Sequence, residues 1–143
     1  MALALPDDDV LIACDISEEF TAHAKPFWQQ AGVVEKIDLR ISPAIETLDA
    51  LISSGEKGSF DFVFIDADKP NYLGYFQRAL DLIHSGGLIA VDNIFWGGGV
   101  IDPSRDDDNT NAIRAFNKAL TNDPRISLST VPIGDGLTLA RKR

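Results

Sequence analysis

Short apolar runs recur along the chain and predict a set of buried β-strands. Three of these runs, residues 10–14, 62–65 and 88–91, are continuous and do not alternate with polar residues. Continuous runs of this length are typical of strands that are covered on both faces, as in a parallel sheet. A fourth run, Ile37–Ile41, alternates as IDLRI and indicates a less buried strand nearer the edge of the sheet.

Segments with helical spacing lie between these strands. Most of them stop at or shortly before a glycine, which commonly ends a helix. They are residues 18–31, Ala44–Ser53, residues 72–83 and, further along, residues 109–120. Strand and helix therefore alternate, which predicts an α/β fold with helices on both sides of a right-handed, mostly parallel sheet.

The C-terminal sequence SLSTVPIGDGLTLAR reads as two strands joined at Gly134-Asp135-Gly136. So short a connection suits an antiparallel hairpin, because parallel strands need a longer crossover. The chain has 143 residues and 45% hydrophobic content, enough for one compact domain. We therefore expect a single α/β domain over residues 1–143 that finishes in an antiparallel hairpin.

The charge and the cysteine content restrict the possible partners and the compartment. Thirteen basic against 22 acidic residues give a net charge of −9, which repels nucleic acid. The only cysteine, Cys14, excludes a disulfide framework and favours a reducing compartment, where it is expected to be a buried core thiol. No apolar run reaches the ~18–20 residues of a membrane span, and MALALP lacks the basic flank of a signal peptide. We expect a cytoplasmic protein without nucleic-acid or membrane partners.

Acidic side chains follow three of the predicted strands. In an open parallel sheet, ligands bind beyond the carboxyl ends of the strands. If the second and third strands are neighbours, their polar side chains would converge and offer the oxygen ligands that suit Mg²⁺, Mn²⁺ or Ca²⁺. Alternatively, each aspartate only caps the helix that follows it, and spacing alone favours this second interpretation. The residues concerned are Asp15, Asp66, Asp68, Asp92 and Asn93.

Two further residues, Lys69 and Trp96, are candidates for a chemical role, and Asp15 is a candidate for a second one. Lys69 lies three residues after Asp66 and would be a general base if it is partly buried beside a cation, although a surface lysine is the simpler interpretation. Trp96, on a glycine-rich loop, would form one wall of a flat substrate pocket, or would only cover the core. Asp15 has the position of the acid that binds ribose hydroxyls in nucleotide-binding α/β folds.

With these residues assembled, the sequence resembles the cation-dependent O-methyltransferases that use S-adenosylmethionine, the group that contains caffeoyl-CoA and catechol O-methyltransferases. The likeness extends over almost the whole chain. It rests on VLIACDIS, SPAIETLDALI, FDFVFIDADKPNY, GGLIAVDNIFWGG and VPIGDGLTLARKR. The resemblance implies a Rossmann-like class I methyltransferase sheet, a homodimer, and S-adenosylmethionine and a divalent cation as cofactors.

The resemblance also implies roles for individual residues. The cation would chelate two adjacent oxygens of a catechol-like substrate, Lys69 would take the proton, and the oxygen would accept the methyl group. Trp96 would contact the substrate. The metal ligands would be Asp66, Asp92 and Asn93, and the cofactor contacts would be Asp15, Ala44, Asp66 and Asp68.

Members of this family begin with several helices, a strand and a glycine-rich turn that have no counterpart here, since no G-x-G pattern opens a helix. We therefore expect an N-terminally truncated sheet in which the strands at 10–14 and 62–65 either pair directly or leave backbone groups unpaired. Weak or no methyl transfer by this chain alone is expected. The alternative function is that of a non-catalytic remnant acting through dimerisation or metal binding. A phosphorylation-dependent receiver domain fits poorly, because it needs a pair of acids where only Asp15 is present.

Overall fold

The computed structural model describes all 143 residues and contains six strands and four α-helices. None of the helices has the length and hydrophobicity that crossing a bilayer requires. Short 3₁₀ segments cover Ala2–Ala4, Val34–Lys36, Lys69–Asn71 and Trp96–Ile101. In chain order the main elements are β1 (Leu11–Asp15), α1 (Glu18–Gln30), β2 (Ile37–Ile41), α2 (Ala44–Ser53), β3 (Phe60–Ile65), α3 (Tyr72–Leu82), β4 (Ile83–Val91), α4 (Asp108–Thr121), β5 (Ile126–Val131) and β6 (Leu137–Lys142).

The chain divides into two compact units, of which the first is Met1–Thr47. In this unit β1 and β2 pair in parallel, with Leu11 opposite Ile37. Helix α1 begins after Ser17, whose hydroxyl accepts a hydrogen bond from the backbone N–H of Phe20 at 3.1 Å. This cap satisfies one of the N–H groups that the first turn of a helix leaves without a partner. The predicted βαβ pattern is confirmed for this unit.

The second unit is Leu48–Arg143 and holds a four-stranded mixed sheet in the order β3-β4-β6-β5. Strands β3 and β4 are parallel, whereas β6 is antiparallel to both β4 and β5. The predicted C-terminal hairpin is therefore confirmed. The core of this unit contains three aromatic side chains in edge-to-face contact, with Phe116 of α4 between Tyr72 and Phe76 of α3. All three are fully buried.

The burial predicted for the second apolar run is wrong. Phe62 and Phe64 of β3 each remain 43% exposed. Strand β3 lies at the edge of its sheet, where its side chains have a neighbouring strand on one side only. Strands β1 and β3 do not pair with each other, so the six strands form two separate sheets. Each of these strands therefore has one edge of backbone N–H and C=O groups without a strand partner.

Candidate active site

Strands β3 and β4 end at the same level of the sheet. Ile65 is paired with Val91, and the backbone N–H of Asp92 donates to the carbonyl oxygen of Ile65 at 3.0 Å. The two residues that follow the strands, Asp66 and Asp92, therefore leave the sheet side by side. The prediction that these two strands are neighbours is confirmed, whereas the convergence of the Asp66 and Asp92 carboxylates stays a prediction.

Lys69 connects the two strand ends. Its Nζ lies 3.3 Å from Asp66 Oδ1 and 2.9 Å from Asn93 Oδ1, and it also forms a hydrogen bond with the hydroxyl of Tyr72. The residue is only 7% exposed, so the interpretation as a surface lysine is wrong. A buried ammonium group with three oxygen partners has a fixed position, which a proton-transfer group requires.

Asp92 and Asn93 form a tight turn directly after β4. Asp92 Oδ1 accepts the backbone N–H of Asn93 at 2.7 Å, and Asn93 adopts a left-handed backbone with φ of +58°. Asparagine is one of the few residues other than glycine that tolerate this conformation. The turn brings the amide oxygen of Asn93 to the ammonium group of Lys69.

The chemistry of these donors fits a hard divalent cation. No group of three or more His, Cys, Asp or Glu side chains that could hold a metal is found in the structure. The predicted set is different, because it consists of two carboxylates and one amide oxygen, from Asp66, Asp92 and Asn93. Oxygens of Asp66 and Asn93 accept hydrogen bonds from the positively charged ammonium group of Lys69. Oxygen ligands of this kind are those that Mg²⁺, Mn²⁺ and Ca²⁺ prefer.

Tyr72 is a site residue that the sequence did not reveal. It is fully buried, its hydroxyl donates to the carbonyl oxygen of Asp92 at 3.2 Å, and its ring centroid lies 4.5 Å from Lys69 Nζ. Burial raises the pKa of Tyr72 well above its usual value, and the carboxylates of Asp66, Asp92 and Asp68 raise it further. The phenol is therefore neutral. The only signal in the sequence was its spacing three residues after Lys69, which places two side chains on one face of a helical turn.

Trp96 lies on the same side of the site as Lys69. Its ring centroid is 5.4 Å from Lys69 Nζ, within the range of a cation–π contact. Its backbone has φ of +50°, which is rare for a bulky side chain. The structure thus brings the indole to the lysine, as a wall of a substrate pocket requires.

Asp68 is engaged by side chains of its own segment. Its Oδ2 accepts from Asn71 Nδ2 at 2.6 Å, and its Oδ1 accepts from the hydroxyl of Tyr75. It is exposed, and the hydrogen-bond partners of Lys69 Nζ are Asp66, Tyr72 and Asn93 instead. These bonds fix the start of α3, which carries Tyr72 into the site.

The two candidates in the first unit have local roles in the structure. Asp15 Oδ1 accepts the backbone N–H of Ser17 at 2.8 Å, just before α1. This bond closes a local turn before the helix, whereas the cap of α1 is Ser17 and not the predicted Asp15. Ala44 is the first residue of α2. Cys14 is half-buried beside a cleft of about 240 Å³, and burial raises the pKa of its thiol.

Solved structures with this fold define the class, a Rossmann-like α/β methyltransferase. The O-methyltransferase TomG from Streptomyces achromogenes, in complex with SAM, matches with a TM-score of 0.89 and 32% identity, over 99% of this chain and 65% of that one. An O-methyltransferase from Bacillus cereus, in complex with SAH, matches with a TM-score of 0.86 and 28% identity, over 97% of this chain and 65% of that one.

The sequence comparisons then identify the family. The model of the O-methyltransferase family matches residues 1–143, and the chain belongs to this family. "Probable caffeoyl-CoA O-methyltransferase 2" of Dictyostelium discoideum is 49% identical over 142 residues, which are 99% of this chain and 62% of the relative. Caffeoyl-CoA O-methyltransferase 1 of Eucalyptus globulus is 47% identical over 148 residues, or 99% of this chain and 60% of the relative. The chain thus spans about three fifths of the length of these relatives.

Proposed function

We propose that the protein transfers a methyl group from S-adenosylmethionine to a hydroxyl of a catechol-like or caffeoyl-type small aromatic, with the assistance of a divalent cation. The observation that carries this proposal is the position of Lys69, whose Nζ lies between Asp66 Oδ1 at 3.3 Å and Asn93 Oδ1 at 2.9 Å. The names of the relatives, caffeoyl-CoA O-methyltransferases, support the acceptor class. The SAM complex of the related TomG supports the methyl donor.

Asp66, Asp92 and Asn93 are the residues that would hold Mg²⁺, Mn²⁺ or Ca²⁺. The bound cation would supply charge stabilisation for the deprotonated acceptor oxygen. Lys69 is the one basic side chain at the two strand ends, and in its neutral amine form it would accept the proton of the acceptor hydroxyl. Tyr72, which is neutral and bonded to Lys69, would hold the side chain of the lysine in position.

The indole of Trp96 would cover one face of the aromatic acceptor, because flat apolar walls suit flat substrates. For the methyl donor, the proposed contacts are Asp15, Ala44, Asp66 and Asp68. We also propose a cytoplasmic homodimer, since the edges of β1 and β3 without strand partners favour self-association. Size-exclusion chromatography with light scattering would test the dimer.

A methyl-transfer assay with S-adenosylmethionine, Mg²⁺ and either caffeoyl-CoA or a simple catechol tests the function. We expect Lys69→Met to lower kcat by on the order of 10²–10⁴-fold, the usual contribution of a general base. The matched control is Lys57→Met. Lys57 is exposed and pairs only with Asp81 at 3.7 Å, so its replacement should leave the rate unchanged. Equal rates for both variants would contradict the role of Lys69.

The second candidate is a non-catalytic protein of this fold that acts through dimerisation or metal binding. The separation of the strands into two sheets with open edges favours it. Titration calorimetry distinguishes the two candidates, since an enzyme should bind S-adenosylmethionine at micromolar concentrations. The second candidate would be supported, and the first excluded, by three results together. Addition of Mg²⁺ would release or absorb heat, addition of S-adenosylmethionine would not, and the methyl-transfer assay would show no turnover.

A further inference from the structure

The turn between β5 and β6, residues 132–136, contacts the loop that carries Trp96. The backbone carbonyl of Asp135 accepts the N–H of Phe95 at 2.9 Å, and its side-chain Oδ1 accepts the N–H of Gly97 at 2.7 Å. A third bond joins the N–H of Ile94 to the carbonyl oxygen of Gly136 at 3.2 Å. Asp135 therefore binds the residues on both sides of Trp96.

The backbone that these bonds hold is unfavourable by itself. Trp96 has φ of +50°, and the following Gly97 and Gly98 have φ of +58° and +80°. A non-glycine residue in the left-handed region persists only where surrounding contacts fix it. The bonds from Asp135 to the neighbouring N–H groups are such contacts, and they fix the direction in which the indole leaves the backbone.

Gly136 allows the close approach of the turn to the loop. A Cβ at this position would lie 2.6 Å from the ring of Phe95, and its φ of +84° also suits glycine. The sequence Gly-Asp-Gly is thus more than a hairpin connection. Its last glycine brings the turn against the loop, and its aspartate binds the loop on both sides of Trp96.

We propose that Asp135 is a positioning residue that holds the indole of Trp96 over the site of Lys69, where the ring centroid lies 5.4 Å from Nζ. This inference rests on the proposed function, in which Trp96 covers one face of the aromatic acceptor. The substrate class that benefits is a flat aromatic, since orientation of the indole affects contact with a ring and not the proton transfer itself.

Fluorescence of Trp96 tests the positioning without any assay of activity. The chain has two tryptophans, so a Trp28→Phe background leaves Trp96 as the only emitter. We expect Asp135→Ala to shift the emission to longer wavelength and to increase quenching by acrylamide. Asp135→Asn keeps an oxygen acceptor at the same place and should restore wild-type quenching. If Asp135→Ala fails to fold, Asp135→Ser, whose hydroxyl is too short to reach Gly97, is measured instead.

The matched control is Asp102→Ala. Asp102 Oδ1 accepts the N–H of Ser104 at 2.9 Å, the same type of bond at the far end of the Trp96–Ile101 segment. It should leave the fluorescence of Trp96 unchanged. Equal quenching of Trp96 in the folded Asp135→Ala variant and in its Trp28→Phe parent would overturn the proposal.

Kinetics with Trp28 retained test the link to the acceptor. We expect Asp135→Ala to raise KM for the aromatic acceptor about fivefold, the effect of one lost hydrogen bond, with little change in kcat. A change in quenching with KM unaffected would overturn the role toward the acceptor. If the wild type transfers no methyl group at all, the proposed function fails, and the fluorescence still decides whether Asp135 positions Trp96.

Discussion

Replacing Tyr72 by phenylalanine removes one hydroxyl from the centre of the site and little else. The ring, whose centroid lies 5.7 Å from that of Phe116 in an edge-to-face contact, is kept, so no cavity forms. Two hydrogen bonds are lost, one with Lys69 Nζ and one to the carbonyl oxygen of Asp92 at 3.2 Å. The variant therefore isolates the hydrogen bonds of the hydroxyl from its packing.

The expected loss follows from the burial of the partners. The side chain of Lys69 is 8% exposed, so water cannot readily replace the lost oxygen. Lys69 keeps Asp66 and Asn93 as partners, which limits the damage. A hydrogen bond to a charged group contributes about 1.5–3 kcal/mol, and we expect Tyr72→Phe to lower the free energy of unfolding by about 2–3 kcal/mol.

Urea unfolding followed by circular dichroism measures this loss. Tyr75→Phe is the comparison, because that hydroxyl bonds to the exposed Asp68 and its removal should cost less than half as much. A change of less than about 0.5 kcal/mol for Tyr72→Phe, the range of ordinary surface substitutions, would refute the reasoning. Under the proposed function, the same variant should also lower kcat more than it changes KM.

Three further substitutions test the core, a helix end and a titrating pair. Phe116→Ala removes a fully buried ring and should lower the free energy of unfolding, measured with urea, by about 3–5 kcal/mol. Its control is Leu128→Ala at a half-exposed position of β5, which should lower this free energy by about 1 kcal/mol or less. Lys142→Met removes hydrogen bonds of 2.6 and 2.8 Å to two carbonyl oxygens at the end of α3, and it should cost about 1–3 kcal/mol in the same assay. Hydrogen bonds to the carbonyl of Ser85 and to Asp61 raise the pKa of His84, so its contribution to stability is present below the unfolded pKa and is lost as pH rises through the folded one. His84→Gln should therefore lower the thermal midpoint at about pH 5.5 and leave it unchanged at about pH 8.5; equal shifts at both pH values would contradict this assignment.

The elements themselves were largely predictable from local patterns. The helix Ala44–Ser53 and the strand Ile37–Ile41 have the predicted bounds. For both elements, the hydrophobic periodicity and the residues that end the element indicate the same bounds. The burial of β3 was not predictable in this way. An apolar run shows what a strand can bury, but the 43% exposure of Phe62 and Phe64 depends on which elements cover the strand.

The part of the candidate site that could be predicted consists of residues that follow the ends of strands. Asp66, Lys69 and Asn93 meet as expected, since strand pairing brings the strand ends together. Tyr72 and Asp135 were missed because an aromatic residue at a helix start and an aspartate in a turn both have ordinary local explanations. The bond of Tyr72 to the carbonyl oxygen of Asp92 and the bond of Asp135 to Gly97 join segments whose proximity only the tertiary structure shows.

The left-handed backbone of Asn93 restricts which mutations this strand end can accept. A residue there must supply a side-chain oxygen and also tolerate φ of +58°. Glutamine keeps the amide but is not among the residues enriched in that conformation, and glycine tolerates it but has no oxygen. Only asparagine and aspartate satisfy both demands, and aspartate would add a third negative charge beside Asp66 and Asp92. Under the proposed function, redesign of this site for other acceptors is therefore best begun at the loop around Trp96, with Asn93 left unchanged.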